Sequence, residues 1–389
     1  STDAARGVCV ADLVGDDGVL DVFVAMVNVA DALYVGSGDG TFTEQGAAFG
    51  LASTSPSNAC AVGDVDGDGA TLELVVTMVS SGHRMHFRNP AGDYSDVRPF
   101  GPPTADGRSA SFGDVDGDGD LDLYITAVGL NELHMNNGTG HFTDEALPRG
   151  VASPLNGRAA LLVDLTGDGH LDIVAGSTTT TQAFINNGTG HFALDESLFS
   201  GFEYVLSVGV AGLLGQDGTL DAALSVYNDF VYVMDDVELG GPSSVVLATS
   251  GGWRCLVVSD VNLDGLADIM AVTQSIHAAA ANRGDGVFVD VSDAWGTLQD
   301  PTFLWSMVAA DIDNDGDEDV IRSRNGAVLR NHNARQDLAT WLKVRPLTAA
   351  GSPSAYGARV DVQCVSDCAT PWVSTCVTAS GGTFASSSG

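Results

Sequence analysis

Short apolar runs alternate with polar loops along the whole chain, and no long stretch has the period of an amphipathic helix. The segment around residue 114 shows the pattern most clearly. An apolar run at 109–113 precedes an acidic loop, and a segment rich in β-forming residues follows at 121–128. A further run at 132–136 leads into a Gly-rich turn that ends at Phe142. This order predicts four strands in about fifty residues.

The turn after the third predicted strand is itself repeated. Asn136 begins the sequence Asn-Asn-Gly-Thr-Gly-His-Phe, and Asn186 begins an identical sequence. Related sequences begin at Gly36 and Asn282. Because Asn-Gly and Gly accept positive φ, these segments predict the turn between strands three and four.

The acidic loop between the first two predicted strands occurs seven times. Its third copy reads Asp-Val-Asp-Gly-Asp-Gly-Asp-Leu-Asp. Successive copies begin 52, 50, 50, 48, 48 and 51 residues apart, at Asp12, Asp64, Asp114, Asp164, Gly212, Asp260 and Asp311. A four-stranded unit repeated at this period predicts an all-β fold, a seven-bladed β-propeller of four-stranded antiparallel blades.

The repeats predict a propeller over residues 1–347 and a short C-terminal β segment over 348–389. The outer strand of the seventh blade is expected at 339–345. In the tail, strands are expected at 357–363 and 372–379, on either side of a Cys-bearing loop. Two strands are marginal alone, so we expect the tail to dock on the ring or to add to the sheet of another chain.

Each acidic loop is a candidate cation site, because carboxylates this close together repel one another unless a cation lies among them. Oxygen ligands at this density suit Ca²⁺. Residues one, three, five and nine would supply side chains, and residue seven its backbone carbonyl. An extra residue in the second copy would place Glu73 last. The candidate ligands are Asp12, Asp16 (or Asp17) and Asp21 in copy one; Asp64, Asp66, Asp68 and Glu73 in copy two; Asp114, Asp116, Asp118, Asp120 and Asp122 in copy three; Asp164, Thr166, Asp168, His170 and Asp172 in copy four; Asp260, Asn262, Asp264, Leu266 and Asp268 in copy six; and Asp311, Asp313, Asp315, Asp317 and Asp319 in copy seven.

The copies are unequal. Copies three and seven are complete, whereas copy five has lost its opening ligands and is expected to be empty. We therefore expect four to five Ca²⁺ ions. One alternative is that the aspartates are solvated turn residues. Another, which we favour over a signalling or catalytic role, is that the ions are purely structural and fix each loop between two strands.

The charge excludes nucleic acid as a partner, and the length of the apolar runs excludes a transmembrane segment. The chain has 16 basic and 51 acidic residues, and its formal net charge is −35. This balance excludes nucleic acid, since binding phosphates requires clustered Lys and Arg. The longest apolar runs, such as 159–163, are too short to span a bilayer, so no transmembrane segment is expected.

The six cysteines fall into two groups. Cys9, Cys60 and Cys255 lie in apolar segments just before a motif and are expected to be buried thiols. Cys364, Cys368 and Cys376 are disulfide candidates in a segment with little core. Because three is odd, one of them must stay free, reach a core cysteine or pair with another chain.

Asn137 and Asn187 begin Asn-Gly-Thr sequons and are candidate glycosylation sites. The same residues are also those that the turn itself needs.

The acidic repeat and the Asn-Asn-Gly-x-Gly-x-Phe turn together resemble the FG-GAP/VCBS repeats of integrin α-chain propellers and of many secreted proteins. Three tail sequences resemble the C-terminal segment of the cartilage acidic protein and UnbV family: Trp-Leu-Lys-Val-Arg at 341–345, Gly-Ala-Arg-Val-Asp-Val at 357–362 and Ser-Gly-Gly at 380–382. This resemblance implies a secreted, acidic, non-enzymatic protein.

No catalytic motif stands out. A nucleophile elbow, zinc-ligand spacing and a phosphate loop are all missing from the sequence, and His83, His86, His134, His277 and His332 have no evident partner. A polysaccharide lyase, the least favoured alternative, would need more basic residues against acidic sugars.

We expect a secreted, calcium-stabilised adhesion or structural module that contacts other extracellular proteins or copies of itself. The alternative is a glycan-binding, lectin-like propeller. Aromatic residues could then be presented to sugars, although filling the gaps between blades is the favoured role of Tyr94, Trp253, Trp295 and Trp305.

Overall fold

The computed structural model describes residues 5–214, 220–227, 230–236, 243–248, 252–273, 277–292, 304–315, 318–324, 327–331, 359–363 and 372–376. Within these ranges the chain is almost entirely β-structure, and its one α-helix, α1, spans only Ala146–Arg149. The all-β prediction is confirmed.

Six four-stranded antiparallel sheets follow one another along the described chain, and each is a blade of a β-propeller with its strands in sequence order. Blade one contains β1 (Ala5–Ala11), β2 (Asp21–Met26), β3 (Ala32–Gly36) and β4 (Phe42–Glu44); blade two β5 (Ser57–Gly63), β6 (Glu73–Met78), β7 (His83–Phe87) and β8 (Asp96–Phe100); blade three β9 (Gly107–Gly113), β10 (Asp122–Ala127), β11 (Glu132–Asn136) and β12 (Phe142–Asp144); blade four β13 (Gly157–Val163), β14 (Asp172–Ser177), β15 (Thr181–Asn186) and β16 (Phe192–Asp195); blade five β17 (Val205–Ala211), β18 (Asp221–Val226), β19 (Phe230–Met234) and β20 (Ser243–Ala248); and blade six β21 (Trp253–Ser259), β22 (Asp268–Thr273), β23 (His277–Asn282) and β24 (Phe288–Asp290).

The prediction of seven four-stranded blades is wrong, because the described residues form six. The seventh repeat gives a three-stranded sheet of β25 (Leu304–Ala310), β26 (Asp319–Arg324) and β27 (Ala327–Asn331). The expected fourth strand, at 339–345, lies outside the described residues. The sequence repeat counts acidic loops, and a loop needs only the first two strands of its unit. Seven loops therefore do not require seven complete blades.

The first strand of each blade lies innermost in the ring. Each of these inner strands contacts the inner strand of the next blade, from β1 through β5, β9, β13, β17 and β21 to β25. Strand β25 in turn contacts β1, so the three-stranded sheet lies between blade six and blade one and closes the ring.

The second strands form the most buried layer. Every residue of β2, β6, β10, β14, β18 and β22 is buried. Apolar side chains of adjacent blades pack together, as where Ala61 and Val75 of blade two meet Phe112 and Leu123 of blade three. Full burial of a large apolar side chain contributes about 1.5–3 kcal/mol. The packing between blades is therefore the main support of the ring.

A disulfide joins Cys9 of β1 to Cys60 of β5, with a Cα–Cα distance of 6.1 Å. The expectation that both are free buried thiols is wrong. The inner strands of adjacent blades run side by side and bring the two residues together, although 51 positions separate them in sequence. Cys255 is free, as expected.

In the tail, β28 (Arg359–Gln363) pairs with β29 (Trp372–Cys376) in an antiparallel two-stranded sheet. Cys376 ends β29, whereas Cys364 and Cys368 lie outside the described residues. The boundary between propeller and tail near residue 347 stays a prediction.

Candidate metal centre

All seven acidic loops lie at the same end of the inner strands. In the third repeat, Asp114 follows the last residue of β9, and Asp122 is the first residue of β10. In every other repeat the inner strand likewise ends immediately before the motif begins. Because the inner strands lie side by side, the loops form a series around one face of the ring.

Three of the loops bring three carboxylates together, with one oxygen of each within 4.8 Å of the others. Oxygens that share one Ca²⁺ at about 2.3–2.6 Å can lie no more than about 5 Å apart, so these groups fit a single cation. In the part of the chain that the structure describes, the groups are Asp64, Asp66 and Glu73 in repeat two, Asp114, Asp116 and Asp122 in repeat three, and Asp311, Asp313 and Asp315 in repeat seven.

The third residue of the motif separates these loops from the others. It is an Asp in repeats two, three and seven, but Thr166 in repeat four and Asn262 in repeat six. The remaining acids of repeats four and six, at positions one, five and nine, do not form a group of three within 4.8 Å among the described residues. The third residue therefore decides whether a loop has a complete set of carboxylates.

A buried oxygen at this third position supports the fit to a cation. The Oδ1 atom of Asp116 and the Oγ1 atom of Thr166 are both buried, and neither accepts a hydrogen bond from a described residue. Burial and the nearby Asp118 carboxylate raise the pKa of Asp116. Buried oxygens without a donor are costly, and a coordinated cation would remove that cost.

The first acid of the motif holds the loop in shape. Oδ2 of Asp114 accepts a hydrogen bond from the Gly119 N–H at 2.9 Å, and Oδ1 accepts one from Gly117 at 2.7 Å. Gly117 and Gly119 have φ values of 77° and 95°, a region that favours glycine. Asp64, Asp164 and Asp260 accept equivalent hydrogen bonds from Gly69, Gly169 and Gly265 at 2.8–3.0 Å.

The fifth acid caps the seventh residue of its own loop. Asp118 accepts a hydrogen bond from the Asp120 N–H at 3.0 Å. Asp168 does the same for His170, and Asp264 for Leu266. The seventh-position side chains vary in chemistry, as expected if only their backbone carbonyl is used. Asp68 caps Ala70 in repeat two, and Asp317 lies outside the described residues.

The ninth acid is buried beneath the loop and bonded to the backbone. Asp122 accepts hydrogen bonds from Val115 N–H at 3.1 Å and from Asn136 N–H at 2.9 Å. Burial raises its pKa to about 8, and it raises the pKa of Glu73 to about 8 and that of Asp268 to about 7. Asp21 and Asp172 are raised less, to about 6, also chiefly by burial. A cation beside these groups would favour their ionised form.

Repeat five shows that the ninth acid can bond to the backbone of its loop without the other candidate ligands. This loop begins with Gly212 and has lost its opening acids, yet Asp221 still accepts hydrogen bonds from Leu213, Leu214 and Asp236. The ninth acid therefore ties the loop to the second and third strands whether or not the loop has the other ligands.

Repeat one has a divergent loop. Asp12 accepts a hydrogen bond from Gly18 at 2.8 Å, and Asp21 is buried like the other ninth acids. Asp16, however, has a side chain that is 58% exposed and pairs with Arg88 of blade two. Copy one is not among the three-carboxylate groups of the described chain.

An asparagine at the end of the third strand ties adjacent blades together. Nδ2 of Asn136 donates to the carbonyl of Val65 in the preceding blade at 2.7 Å and to that of Leu121 in its own blade at 3.1 Å. Asn186 and Asn282 repeat this pattern onto Val115 and Leu213 at 2.7 Å each. The repeated sequence marked these residues only as turn formers, so their role between blades was missed.

In blade two a tyrosine takes the same role. The Tyr94 hydroxyl lies 3.0 Å from the Leu13 carbonyl of blade one and 2.9 Å from the Leu72 carbonyl of its own blade. Tyr94 is completely buried, which confirms that it fills the gap between blades and does not face solvent. We call Tyr94, Asn136, Asn186 and Asn282 the blade clasps.

Three buried side chains form a further link that sequence reasoning missed. Glu132 of blade three lies between His134 of the same strand, at 2.7 Å, and His83 of blade two, at 3.3 Å. Burial alone would raise the pKa of Glu132, but the hydrogen bonds from the two histidines lower it to about 2. His83 and His134 therefore have a partner, and their role lies between blades. His277 contacts Arg322 of the neighbouring sheet, and His332 lies outside the described residues.

Both sequon asparagines are exposed in the turns that follow β11 and β15. Oδ1 of Asn137 accepts a hydrogen bond from the Thr139 hydroxyl at 2.7 Å, and Asn187 and Thr189 repeat that contact. These hydrogen bonds hold the turn together, as expected of the residues, and glycosylation stays a prediction.

Residues 14–76 and 260–321 match the family model of the FG-GAP-like repeat. The chain is a β-propeller with FG-GAP-like repeats. The two matched segments contain acidic loops of repeats one, two, six and seven, so the repeat that the sequence pattern indicated is confirmed. The predicted membership in the cartilage acidic protein and UnbV family is not confirmed. Among curated proteins, none matches this chain.

Solved structures share the fold at low sequence identity. An Agrocybe aegerita lectin that recognises non-reducing terminal N-acetylglucosamine is 20% identical, with a TM-score of 0.50 over 83% of this chain and 93% of its own. BBS1N, solved in complex with ARL6DN, is 13% identical, with a TM-score of 0.57 over 85% and 93%. The extracellular domain of BT4673 from B. thetaiotaomicron is 13% identical, with a TM-score of 0.52 over 88% and 41%. Identities this low establish the propeller and not the ligand.

None of the described helical residues forms a segment with the length and apolar character needed to cross a membrane.

Proposed function

We propose that this protein is an extracellular, non-enzymatic binding module whose propeller is stabilised by Ca²⁺ in the acidic loops. The observation that carries the proposal is the set of three-carboxylate groups in repeats two, three and seven, each at the junction of an inner strand and a second strand. Repeats four and six would add weaker sites through Thr166 and Asn262. The Cys9–Cys60 disulfide supports an oxidising compartment.

Calcium would act here as a structural link. Each loop joins two strands of a blade, and its ninth acid also bonds to the third strand. A cation would neutralise the acids and hold the loop in one conformation, and the free energy of binding would add to the stability of the fold.

The test is thermal unfolding of the full chain after chelation, followed by addition of Ca²⁺ or Mg²⁺. At a free concentration of one hundred times Kd, a single site stabilises the fold by about 2.7 kcal/mol. We expect Tm to fall on chelation and to return with Ca²⁺ at lower concentration than with Mg²⁺. A Tm that is indifferent to both ions would contradict the proposal.

We further propose that contact with other proteins or with a second copy of this chain involves the C-terminal strand pair. Among the described residues, β28 and β29 form a two-stranded sheet, and the edges of such a sheet are suited to strand addition. A chain truncated after Leu347 is expected to lose assembly that the full chain shows. The same oligomeric state in solution for the two forms would refute this role.

Glycan binding is the second candidate, favoured by the fold that the chain shares with the Agrocybe aegerita lectin. A glycan array with the calcium-loaded protein tests it, and saturable binding that free sugar competes away would support it.

A further inference from the structure

Four arginines occupy the same position on four inner strands. Arg6, Arg108, Arg158 and Arg254 are each the second residue of β1, β9, β13 and β21. They lie at the start of the inner strands, whereas the acidic loops follow the end of these strands. We call these four residues the basic ring. The propeller therefore places a basic set of side chains on the face opposite its acidic loops.

Each of these arginines is the extra residue of a β-bulge. In blade one, Ala5 pairs with Met26 and Gly7 with Ala25, so Arg6 has no partner in the ladder. Arg108, Arg158 and Arg254 are skipped in the same way in their own blades. A bulge changes the direction in which a side chain points and often lies beside a functional site. The same bulge thus occurs at the arginine of blades one, three, four and six.

Polar contacts connect the ring across the blades. Arg6 donates to Oδ1 of Asn58, the bulge residue of blade two, at 2.6 Å. Asn58 donates in turn to Asp106 at 3.3 Å, and Arg108 donates to the other oxygen of Asp106 at 2.8 Å. These side chains of blades one, two and three therefore lie together at this end of the ring.

The ring concentrates positive charge in an otherwise acidic chain. Four of the 16 basic residues of a chain with net charge −35 are gathered here. Among the described residues, Arg158 has no hydrogen-bond or ion-pair partner, and the buried Nε of Arg108 donates to none. Burial lowers the pKa of Arg158, and Arg108 and Arg254 lower it further, whereas Asp106 opposes them. The four guanidinium groups therefore form a local cluster of positive charge.

Exposed aromatic side chains lie beside the ring at blade five. Tyr204 and Tyr227 have ring centroids 6.0 Å apart, and each is 43% exposed. The Arg254 guanidinium lies 5.2 Å from the centroid of the Tyr227 ring. Blade five lies between blade four, which holds Arg158, and blade six, which holds Arg254. The tyrosines therefore offer flat apolar surface between two of the arginines.

We propose that the basic ring and the two tyrosines bind a short acidic oligosaccharide through carboxylate or sulfate groups on its sugars. Guanidinium groups bind such anions with paired hydrogen bonds, and tyrosine rings pack against the apolar faces of sugars. The acidic remainder of the surface repels long polyanions, so the site selects short ones.

Isothermal titration of the full chain in Ca²⁺ tests this site with four probes: a galacturonate tetrasaccharide, a sulfated chondroitin tetrasaccharide, a neutral chitin tetrasaccharide and inorganic sulfate. We expect at least one acidic probe to bind saturably, with an affinity that falls as salt rises, and the neutral probe not to bind. Both acidic probes carry carboxylates, so binding of the galacturonate probe would show that carboxylates suffice, and binding of the chondroitin probe alone would assign the sulfate groups. Equal binding of the neutral probe, binding of inorganic sulfate as tight as that of the tetrasaccharides, or binding of neither acidic probe would overturn the proposal.

Variants test whether the basic ring binds the ligand. Arg158→Gln and Arg254→Gln should each weaken binding about tenfold or more, since each removes charge-assisted hydrogen bonds. Arg98→Gln, on the outer strand β8, is the matched control and should leave the affinity unchanged. Circular dichroism of each variant verifies the fold. Unaltered binding by both ring variants would place the ligand elsewhere and refute the assignment.

Discussion

At the scale of single residues, the third position of the acidic motif has the largest effect on the candidate site. A carboxylate there completes a three-acid group, whereas Thr166 leaves a hydroxyl oxygen buried without a donor among the described residues. Because the number of charged ligands tunes the affinity for Ca²⁺, loops with an Asp at this position should bind Ca²⁺ more tightly than those with Thr or Asn.

Thr166→Asp is therefore expected to strengthen Ca²⁺ binding in repeat four by roughly tenfold. Calorimetric titration of the chelated protein would measure the change. Thr166→Ser keeps a hydroxyl and serves as the matched control. An Asp variant with the affinity of the Ser variant would show that this position does not face a cation.

Glu132 offers a pH-dependent test of the link between blades two and three. Its pKa is about 2 in the folded protein, against an ordinary value of 4.5 for a glutamate in an unfolded chain. A lowered pKa contributes stability that is present above about pH 4.5 and lost as the pH falls through 2. The shift corresponds to about 3 kcal/mol.

Glu132→Gln should accordingly lose stability against the natural chain at pH 7, and this difference should shrink between pH 4.5 and 2. Denaturant unfolding of both proteins across this range measures it. A difference that stays constant with pH would contradict the proposed stabilisation of the carboxylate by His83 and His134.

The sequence predicted some of these residues and not others. Motif spacing places the acids of one loop near each other, because a nine-residue turn is local. The contact of Glu132 with His83 and the contacts of the basic ring join different blades, about fifty residues apart, so no local pattern contains them. The disulfide between Cys9 and Cys60 was missed for the same reason.

At the scale of the strand and the turn, the blade clasps explain why Asn recurs at the end of the third strand. Each Asn amide bonds a carbonyl of its own blade and one of the preceding blade, and the Tyr94 hydroxyl lies between the equivalent pair. Both carbonyls belong to segments that adjoin an acidic loop, so the clasps also position the loops.

Asn136→Ala should destabilise the protein by about 1–3 kcal/mol, because it leaves buried carbonyls without a donor. Its neighbour Asn137 is exposed and bonds only within its own turn, so Asn137→Ala is the matched control and should cost less. Chemical denaturation of both variants measures the difference. Equal losses would show that the amide of Asn136 does not link the blades.

Strand positions followed closely from the apolar runs, since local alternation and turn residues define them. The third strand of blade three was predicted at 132–136, where β11 lies. Local patterns could not predict the number of complete blades, because closure of the ring depends on contacts between β25 and the inner strands on either side of it.

At the scale of the whole molecule, the disulfide joins two blades near the N-terminal end of the ring. It closes a segment of 51 residues, and the loss of chain entropy in the unfolded state predicts a contribution of about 4 kcal/mol. We expect a protein with Cys9→Ser and Cys60→Ser to have a correspondingly lower free energy of unfolding.

Cys255→Ser is the control, since Cys255 is free. Guanidinium unfolding with and without reductant would separate the two cases, because reductant should lower the stability of the natural chain and of Cys255→Ser by more than that of the double variant. Identical stability of the reduced and oxidised natural chain would contradict a role for the disulfide.

The central claim is that the acidic loops bind Ca²⁺ as structural ions. Equilibrium dialysis of the chelated full chain against Ca²⁺, with metal analysis, tests it most directly. The account predicts four to five bound ions: three from repeats two, three and seven, and the remainder from repeats four and six. Replacing Asp116 by Asn should remove or weaken one of them. The account would be contradicted if the chain bound no Ca²⁺, or if Asp116→Asn changed neither the number of bound ions nor their affinity.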